Sequence, residues 1–153
     1  ATTAEAREEL WKARQEAHDS IKFSYPGYTM ISGDVCVPIS RFGEMVKFVR
    51  ATAQRLGVQC FAFGHAGDGN LHTEIVARKE DADEFRRSIQ ATEEIILRAL
   101  ELGGTVAGEH GVGLAKRPFM RREHGAGVEV MRAIKAALDP KGIMNPGKIL
   151  PAD

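Results

Sequence analysis

The sequence predicts an α+β fold, with an antiparallel sheet, helices on one face of that sheet and a helical extension at the C-terminus. Apolar residues recur at helical spacing in separate segments, and short β-branched runs lie between those segments. Their order is strand, helix, strand, strand, helix, which is typical of a ferredoxin-like sheet. The dipeptide Asp68-Gly69 separates two of the runs and indicates a hairpin, so the neighbouring strands are expected to be antiparallel.

The boundaries of these elements follow from local signals. Glycine adopts the left-handed backbone that closes a helix, so we place helix ends at Gly57 and Gly103. Pro38 closes the first strand because proline cannot donate a ladder hydrogen bond. We predict helices over 5–20, 41–56, 80–102 and 126–138, and strands over 34–39, 58–66 and 70–77.

The composition excludes several classes of protein. With 43% hydrophobic and 27% charged residues, the 153-residue chain is expected to fold. Lysine and arginine together number 21, as do aspartate and glutamate, which argues against nucleic acid as a partner. Cys36 and Cys60 lie in predicted strands without metal or redox spacing, so we expect buried thiols and a reducing, cytoplasmic compartment.

Two histidines flank the predicted hairpin turn. If Asp68 and Gly69 occupy the centre of a type I′ turn, His65 lies directly opposite His72. Directly opposed residues share a face and have Cβ atoms ~4.5–5.5 Å apart. Two imidazoles at that distance can bind one metal ion, so the hairpin is a candidate metal site.

Glu109 is the candidate for a third ligand. It lies between glycines in the run Gly108-Glu109-His110-Gly111, where the backbone can approach a ligand closely. Adjacent side chains of an extended loop diverge, so His110 is expected to face a substrate beside the metal. Two histidines and a carboxylate suit Zn, Mn or Fe. The remaining histidines, His18 and His124, lack such a context and are expected at the surface.

Taken together, the chain resembles the C-terminal part of the FAD-linked oxidases of the vanillyl-alcohol oxidase superfamily. The resemblance is to the D-lactate dehydrogenase (cytochrome) and glycolate oxidase subunit group, with D-2-hydroxyglutarate dehydrogenase as a relative. The combination of GHAGDGNLH with GEHGVG is specific for this family. The matching stretches are 10–14, 34–40, 64–72, 104–113 and 138–148.

The resemblance implies a site and a reaction. In it, His65, His72 and Glu109 bind a divalent metal, and His110 is the general base that takes the hydroxyl proton of a D-2-hydroxy acid. The resemblance also implies that hydride passes from C2 of the substrate to the flavin, and that a cytochrome or quinone is the electron acceptor.

Two further roles come from the same resemblance. Arg14 grips the substrate carboxylate, which suits a bidentate guanidinium. The turn that contains Asn145 approaches the flavin. Glu74 stands where hydroxyglutarate-type relatives carry a polar amide. An acid there disfavours a second substrate carboxylate, so we expect the D-lactate or glycolate type.

The resemblance also bears on domain organisation. We expect residues 1–153 to form a single C-terminal substrate and metal domain, with FAD held mainly by an N-terminal FAD-binding domain that the sequence lacks. The fragment alone is then expected to be inactive. The expected location is cytoplasmic, with peripheral contact with the inner membrane left open, or mitochondrial in a eukaryote.

Two other functions remain open from the sequence. One is a metal-dependent enzyme without flavin that uses the same three ligands. The other is a non-catalytic α+β interaction module, which wide separation of His65, His72 and Glu109 would favour.

Overall fold

The structure is a computed structural model, and it describes residues 2–151. Its helices and strands follow the predicted order, so the α+β class is confirmed. The elements are α1 (Ala4–Gln15), α2 (Ala17–Ser24), β1 (Thr29–Cys36), α3 (Phe42–Leu56), β2 (Gln59–His65), β3 (Asn70–Ala77), α4 (Ala82–Glu101), α5 (Met120–His124) and α6 (Gly127–Leu138), with short 3₁₀ turns at Ile39–Arg41 and Arg117–Phe119.

The three strands form one antiparallel sheet in the order β1-β3-β2. This is the strand order of a ferredoxin-like sheet. Thr105 forms an isolated antiparallel bridge with Cys36, beside β1. That bridge occupies the place of a fourth strand, and it brings the glycine-rich segment after α4 to the same end of the sheet as the hairpin.

Differences in the element boundaries are small. The predicted helix over 5–20 is divided at Glu16 into α1 and α2. The predicted strand over 34–39 begins earlier, at Thr29, and ends at Cys36, two residues before Pro38. Gly57 closes α3 in the left-handed conformation, with φ at 62°, as predicted.

One face of the sheet packs against α3 and α4 and forms the hydrophobic core. Leu71 and Ile75 of β3 point to this face, because side chains alternate along a strand. Other core residues, contributed by β1, α3, α4 and their flanking loops, include Val35, Val37, Met45, Val49, Ile95, Ile96 and Ala99. Burial of this apolar surface is the main term that stabilises the fold.

The other face of the sheet carries polar side chains that are nonetheless buried. His72 and Glu74 of β3 are 6% and 5% exposed, and Asp34 of β1 is 2% exposed. Buried polar groups of this kind require hydrogen-bond or charge partners. Residues of α1, α2 and the segment after Gly104 reach over this face and provide partners for these polar side chains. The candidate site lies here.

The register of the hairpin differs from the prediction. His65 pairs with Asn70, and His72 pairs with Phe63, so the predicted direct pairing of His65 with His72 is wrong. The loop over 66–69 makes overlapping turns, and only Gly69 in it has a positive φ, at 72°. A type I′ turn needs positive φ at both central residues, so the loop is of another type.

Tertiary contacts account for this register. The carbonyl of Gly69 accepts a hydrogen bond from the Val37 N–H at 3.0 Å, and a Cβ on Gly69 would lie 2.0 Å from the Val37 carbonyl oxygen. The loop is therefore anchored to the segment after β1. Relative to the prediction the pairing moves by two residues, and side chains alternate with a period of two. Both histidines therefore stay on one face.

Cys36 and Cys60 are free and half-buried, and burial together with nearby Glu74 raises the pKa of the Cys60 thiol to about 11. Within residues 2–151, no helix is both long enough and apolar enough to cross a membrane.

Candidate active site

The structure brings His65, His72 and Glu109 together. One candidate ligand atom from each of the three side chains lies within 4.8 Å of the other two. Oε1 of Glu109 lies 3.1 Å from Nε2 of His72 and 3.5 Å from Nε2 of His65. A single ion can be reached by all three atoms after small adjustments of the side chains, and two imidazoles with a carboxylate are a donor set that Zn, Mn and Fe accept. The residues fit a divalent metal.

The ring of His72 is oriented from behind by Asp34, which is its partner residue across the sheet. Oδ1 of Asp34 lies 3.4 Å from the buried Nδ1 of His72. A carboxylate facing Nδ1 favours the tautomer with the proton on that nitrogen, which leaves Nε2 free as a metal ligand. Such outer carboxylates commonly support metal-binding histidines.

The segment that carries Glu109 is held by the same aspartate. Oδ2 of Asp34 accepts hydrogen bonds from the backbone N–H groups of Glu109 and His110, each at 2.9 Å. Gly108 makes this approach possible, because a Cβ there would lie 1.9 Å from the Asn70 side-chain nitrogen. That nitrogen in turn donates to Oδ1 of Asp34 at 2.7 Å.

Burial and charge set the protonation of these groups. Burial raises the pKa of Asp34, but the N–H of His110, the Asn70 amide, the N–H of Glu109 and the Lys116 charge together bring that pKa well below its usual range. Burial lowers the pKa of His72, against the opposing effect of Asp34 and Glu109. His72 is therefore neutral near pH 7, which is the state that binds a metal.

Arg14 and His110 lie on either side of the cluster. Nη2 of Arg14 is 3.3 Å from Nε2 of His65, and its guanidinium lies 6.0 Å from the centre of the Phe63 ring. The His110 ring stacks on His72 with 5.1 Å between centroids, and its Nε2 is 3.7 Å from Oε1 of Glu109. A cation and an imidazole thus flank the three candidate ligands.

A cavity of about 280 Å³ lies beside the candidate ligands. Its walls include Arg14, His72, Glu109 and His110, together with Phe63, Gly33, His18 and Glu74. A cavity of this size suits a small organic acid, because drug-sized ligands occupy sites of ~300–1,000 Å³. The cavity has a positive side at Arg14 and an acidic side at Glu74.

His18 was expected at the surface, and that expectation is incomplete. Its side chain is 50% exposed, but Nδ1 lies 3.3 Å from Oε1 of Glu74 and the ring lines the cavity. The hydroxyl of Ser32 donates to Oε2 of Glu74 at 2.8 Å. Glu74 is therefore a buried acid with two partners beside the candidate metal ligands.

Asn145 is not part of this cluster. It lies in a turn with φ at 46° and lines a separate cavity of about 410 Å³ between α6 and the C-terminal segment. That cavity is mostly apolar and is lined by Met131, Ile134, Lys135, Leu138, Asp139, Met144, Asn145, Lys148, Ile149 and Leu150. Asn145 thus offers an amide at the edge of an apolar surface, away from the histidines.

Asp34 is not among the site residues predicted from the sequence, although it begins one of the stretches that carry the family resemblance. A signal was present, since an acid interrupts an otherwise apolar and β-branched strand. Only the pairing of β1 with β3 shows that this acid lies opposite His72.

Comparisons with known proteins identify the family of the chain. Residues 1–149 match the model of the family "FAD linked oxidases, C-terminal domain". The chain is 44% identical over 147 residues to the "Probable D-lactate dehydrogenase, mitochondrial" of Danio rerio, which covers 95% of this chain and 30% of that protein. It is 41% identical over 155 residues to "Glycolate oxidase subunit GlcD" of Bacillus subtilis, covering 99% of this chain and 33% of that one. The chain spans about a third of the length of these relatives.

More distant matches extend the pattern. A "D-2-hydroxyglutarate dehydrogenase" of Stutzerimonas stutzeri is 33% identical over 148 residues, covering 94% of this chain and 31% of that protein. Among solved structures, 4-ethylphenol oxidase from Gulosibacter chungangensis superimposes with a TM-score of 0.65 at 20% identity, over 99% of this chain and 32% of that one. At that identity the structural match supports the fold alone.

Proposed function

The chain belongs to the family of FAD-linked oxidase C-terminal domains, and we propose that it is the substrate- and metal-binding portion of an FAD-dependent D-2-hydroxy-acid dehydrogenase of the D-lactate or glycolate type. One observation carries the proposal. The candidate ligands His65, His72 and Glu109 converge at a small cavity. Two of them, His72 and Glu109, line that cavity together with Arg14 and His110. A 2-hydroxy acid needs the same three functions, namely a hydroxyl ligand, a proton acceptor and a carboxylate partner.

His65, His72 and Glu109 would hold the divalent metal, as Zn, Mn or Fe. When bound, the metal supplies Lewis acidity at the substrate hydroxyl and the flavin supplies the hydride acceptor. The protein's part is to hold its own ligands in the required protonation states. His72 does so because burial lowers its pKa, and Asp34 faces its Nδ1 at 3.4 Å.

We assign His110 as the general base. The ring is stacked on His72, which restricts its rotation, and it lines the substrate cavity. Its Nε2 lies 3.7 Å from Oε1 of Glu109, so the nitrogen that would take the hydroxyl proton lies beside a candidate metal ligand. A base positioned in this way contributes ~10²–10⁴-fold to the rate.

Arg14 would bind the substrate carboxylate. Its guanidinium lines the cavity and lies beside His65, within reach of a small acid whose hydroxyl is at the metal. A planar guanidinium binds a carboxylate through two parallel hydrogen bonds, which fixes the orientation of the substrate as well as its position. Arg14 and the metal together would therefore define which face of C2 is presented.

The flavin would be held mainly by an N-terminal FAD-binding domain, with Asn145 as this chain's contact. Asn145 places one amide at an otherwise mostly apolar groove. This combination would fit a flavin ring, which has apolar faces and a polar edge. Leu138, Ile143 and Met144 near this groove are 77%, 73% and 61% exposed. Exposed apolar surface of that extent is typical of a surface that another part of a larger protein covers.

Glu74 in the cavity wall bears on the substrate class. Glu74 is buried and accepts a hydrogen bond from Ser32, so its carboxylate is held facing the cavity. A second carboxylate on the substrate would meet this negative charge at low solvent exposure, which is unfavourable. We therefore favour D-lactate or glycolate over D-2-hydroxyglutarate.

The electron acceptor and location extend the proposal. Several relatives are named cytochrome-linked or mitochondrial D-lactate dehydrogenases. On that basis we propose a cytochrome or quinone as acceptor, and a cytoplasmic or, in a eukaryote, mitochondrial location.

A dye-reduction assay on the full-length flavoprotein tests the proposal. We expect turnover with D-lactate or glycolate, little turnover with D-2-hydroxyglutarate, and loss of turnover after treatment with a chelator. Turnover that survives complete metal removal would contradict the metal role. Failure to oxidise any of the three acids would contradict the reaction class.

Arg14→Lys is a specific probe of carboxylate recognition in the same assay. Lysine keeps the charge but loses the bidentate geometry, so we expect KM to rise at least tenfold. Arg7→Lys, two turns earlier in α1, is the matched control and is expected to leave KM unchanged. Equal effects at the two positions would indicate a general effect on the helix.

A further inference from the structure

The carboxylate of Asp34 is surrounded by nitrogen atoms from three parts of the chain, namely β3, the segment at 109–110 and Lys116. Oδ2 accepts from the N–H groups of Glu109 and His110, both at 2.9 Å. Oδ1 accepts from the Asn70 amide at 2.7 Å and faces Nδ1 of His72 at 3.4 Å. Lys116 completes the set, with Nζ 3.4 Å from Oδ2 and 2.8 Å from the backbone oxygen of Asp34.

Only an ionised acid can satisfy these partners together. The two backbone N–H groups, the Asn70 amide and the Lys116 ammonium are all donors, and a carboxylate is the side chain that accepts at all of its positions. An asparagine would turn an NH₂ group toward one pair of these donors and leave them opposed. Asp34 is 2% exposed, so water cannot take over the lost bonds.

Two of the groups held by Asp34 are candidate ligands, and they come from different elements. His72 belongs to the central strand, whereas Glu109 belongs to the segment after α4. One carboxylate therefore orients the ring of the first ligand and the backbone of the second. Nδ1 of His72 is buried without a hydrogen-bond partner among the described residues, and Oδ1 of Asp34 faces it at 3.4 Å.

We propose that Asp34 is the positioning residue of the metal site, with Lys116 as its counter-ion. Asp34 sets the His72 tautomer with the proton on Nδ1 and fixes the distance between His72 and Glu109. Lys116, 82 residues away in sequence and 8% exposed, balances the charge that this requires inside the protein. The inference rests on the proposed metal site.

A structural role alone would look different, and the chain contains an example. Asp139 accepts hydrogen bonds from the N–H groups of Ile143 and Met144 and pairs with Lys135. It therefore has two backbone donors and a lysine, as Asp34 has, but no histidine. Asp139→Asn is accordingly the matched control for Asp34→Asn.

The experiment measures Zn²⁺ affinity of the metal-stripped full-length protein by competition with a chromophoric chelator. For Asp34→Asn we expect Kd to rise about 10–100-fold, the range found when outer partners of metal ligands are removed. For Asp139→Asn we expect an unchanged Kd. An unchanged Kd in both variants would overturn the inference, and so would an equal rise in both.

A second measurement does not depend on any variant. The ¹⁵N chemical shifts of the His72 ring in the metal-free wild type report its tautomer, and we expect the proton on Nδ1. A ring protonated on Nε2 would overturn the inference even if Asp34→Asn failed to fold.

Failure of the proposed metal site and failure of the proposed Asp34 role give different results. If the wild type does not bind Zn²⁺ at all, the metal site of the proposed function is wrong. If it binds Zn²⁺ and the Asp34→Asn protein binds equally well, only the positioning role of Asp34 is wrong.

Discussion

Two segments of this protein are anchored in nearly the same way but differ in what they surround. The segment over 106–110 is held by Asp34, and the C-terminal segment over 139–150 is held by Asp139. Each aspartate accepts two successive backbone N–H groups and has a lysine partner. The first anchor lies on a buried sheet face beside histidines, whereas the second lies at the edge of an apolar groove.

The difference lies in the side chains that each anchor brings together. The hydrogen bonds alone only shape a loop. At Asp34 the same bonds place Glu109 opposite two histidines, because the sheet has already put His65 and His72 on that face. At Asp139 the neighbouring side chains are Leu138, Ile143 and Met144, so the segment offers surface for packing. The cluster of candidate ligands therefore depends on the sheet as well as on the loop.

The largest expected effect tests whether the proposed chemistry belongs to the cluster of side chains around the first segment. In the full-length protein, His65→Ala is expected to lose both metal and turnover, since it removes a ligand. His110→Ala is expected to keep its metal and lose ~10²–10⁴-fold in kcat, since it removes the base. Metal content by atomic absorption and kcat by dye reduction check both.

His124→Ala is the control for these two substitutions, because His124 lies outside the cavity. It should retain metal and turnover. Equal metal loss in His65→Ala and His110→Ala would remove the division of roles between ligand and base.

The next prediction compares how much a leucine beside each segment contributes to the free energy of unfolding. Leu71 lies between Asn70 and His72 and is 2% exposed, whereas Leu138 before the C-terminal segment is 77% exposed. Leu71→Ala is expected to lower the free energy of unfolding by about 2–5 kcal/mol, since it leaves a cavity under the site. Leu138→Ala is expected to change it by less than about 0.5 kcal/mol. Urea denaturation measures both, and similar values would mean that the sheet does not give the site its rigidity.

A smaller effect is expected at the proposed flavin contact. Asn145→Gly removes the amide and tolerates the positive φ of this position. Loss of one hydrogen bond is worth about 1 kcal/mol, so flavin reduction in the full-length protein should slow roughly fivefold. The Zn²⁺ affinity should not change. Stopped-flow absorbance at the flavin band gives the rate, and a changed Zn²⁺ affinity would contradict the independence of the two segments.

The smallest effect concerns acid sensitivity of the second anchor. The Lys135 side chain and the N–H groups of Met144 and Ile143 lower the pKa of Asp139. A lowered folded-state pKa contributes stability that is present above the unfolded pKa of about 4 and lost as pH falls below it. Asp139→Asn should therefore lower stability at pH 7 but much less at pH 3. Urea midpoints at the two pH values test this, and a larger loss at pH 3 would reverse the sign.

Much of this protein is determined by the sequence alone. Helical periodicity, terminal glycines and the Asp68-Gly69 dipeptide identified the α+β class, and the two glycine-rich motifs identified His65, His72, Glu109 and His110 as candidates. These signals are local, because the spacing of apolar residues and the backbone freedom of glycine are properties of a few neighbouring positions in the sequence. That is why the element order was predicted well and the histidines were assigned to one face.

Only the tertiary structure decided how those candidates meet. The hairpin register follows from the contact of Gly69 with Val37, and Asp34 gains its place opposite His72 only through the pairing of β1 with β3. His18 reaches Glu74 only when α2 packs over the sheet. Such contacts join residues far apart in the chain, and their energy comes from burying polar groups with complementary partners, which no local pattern specifies.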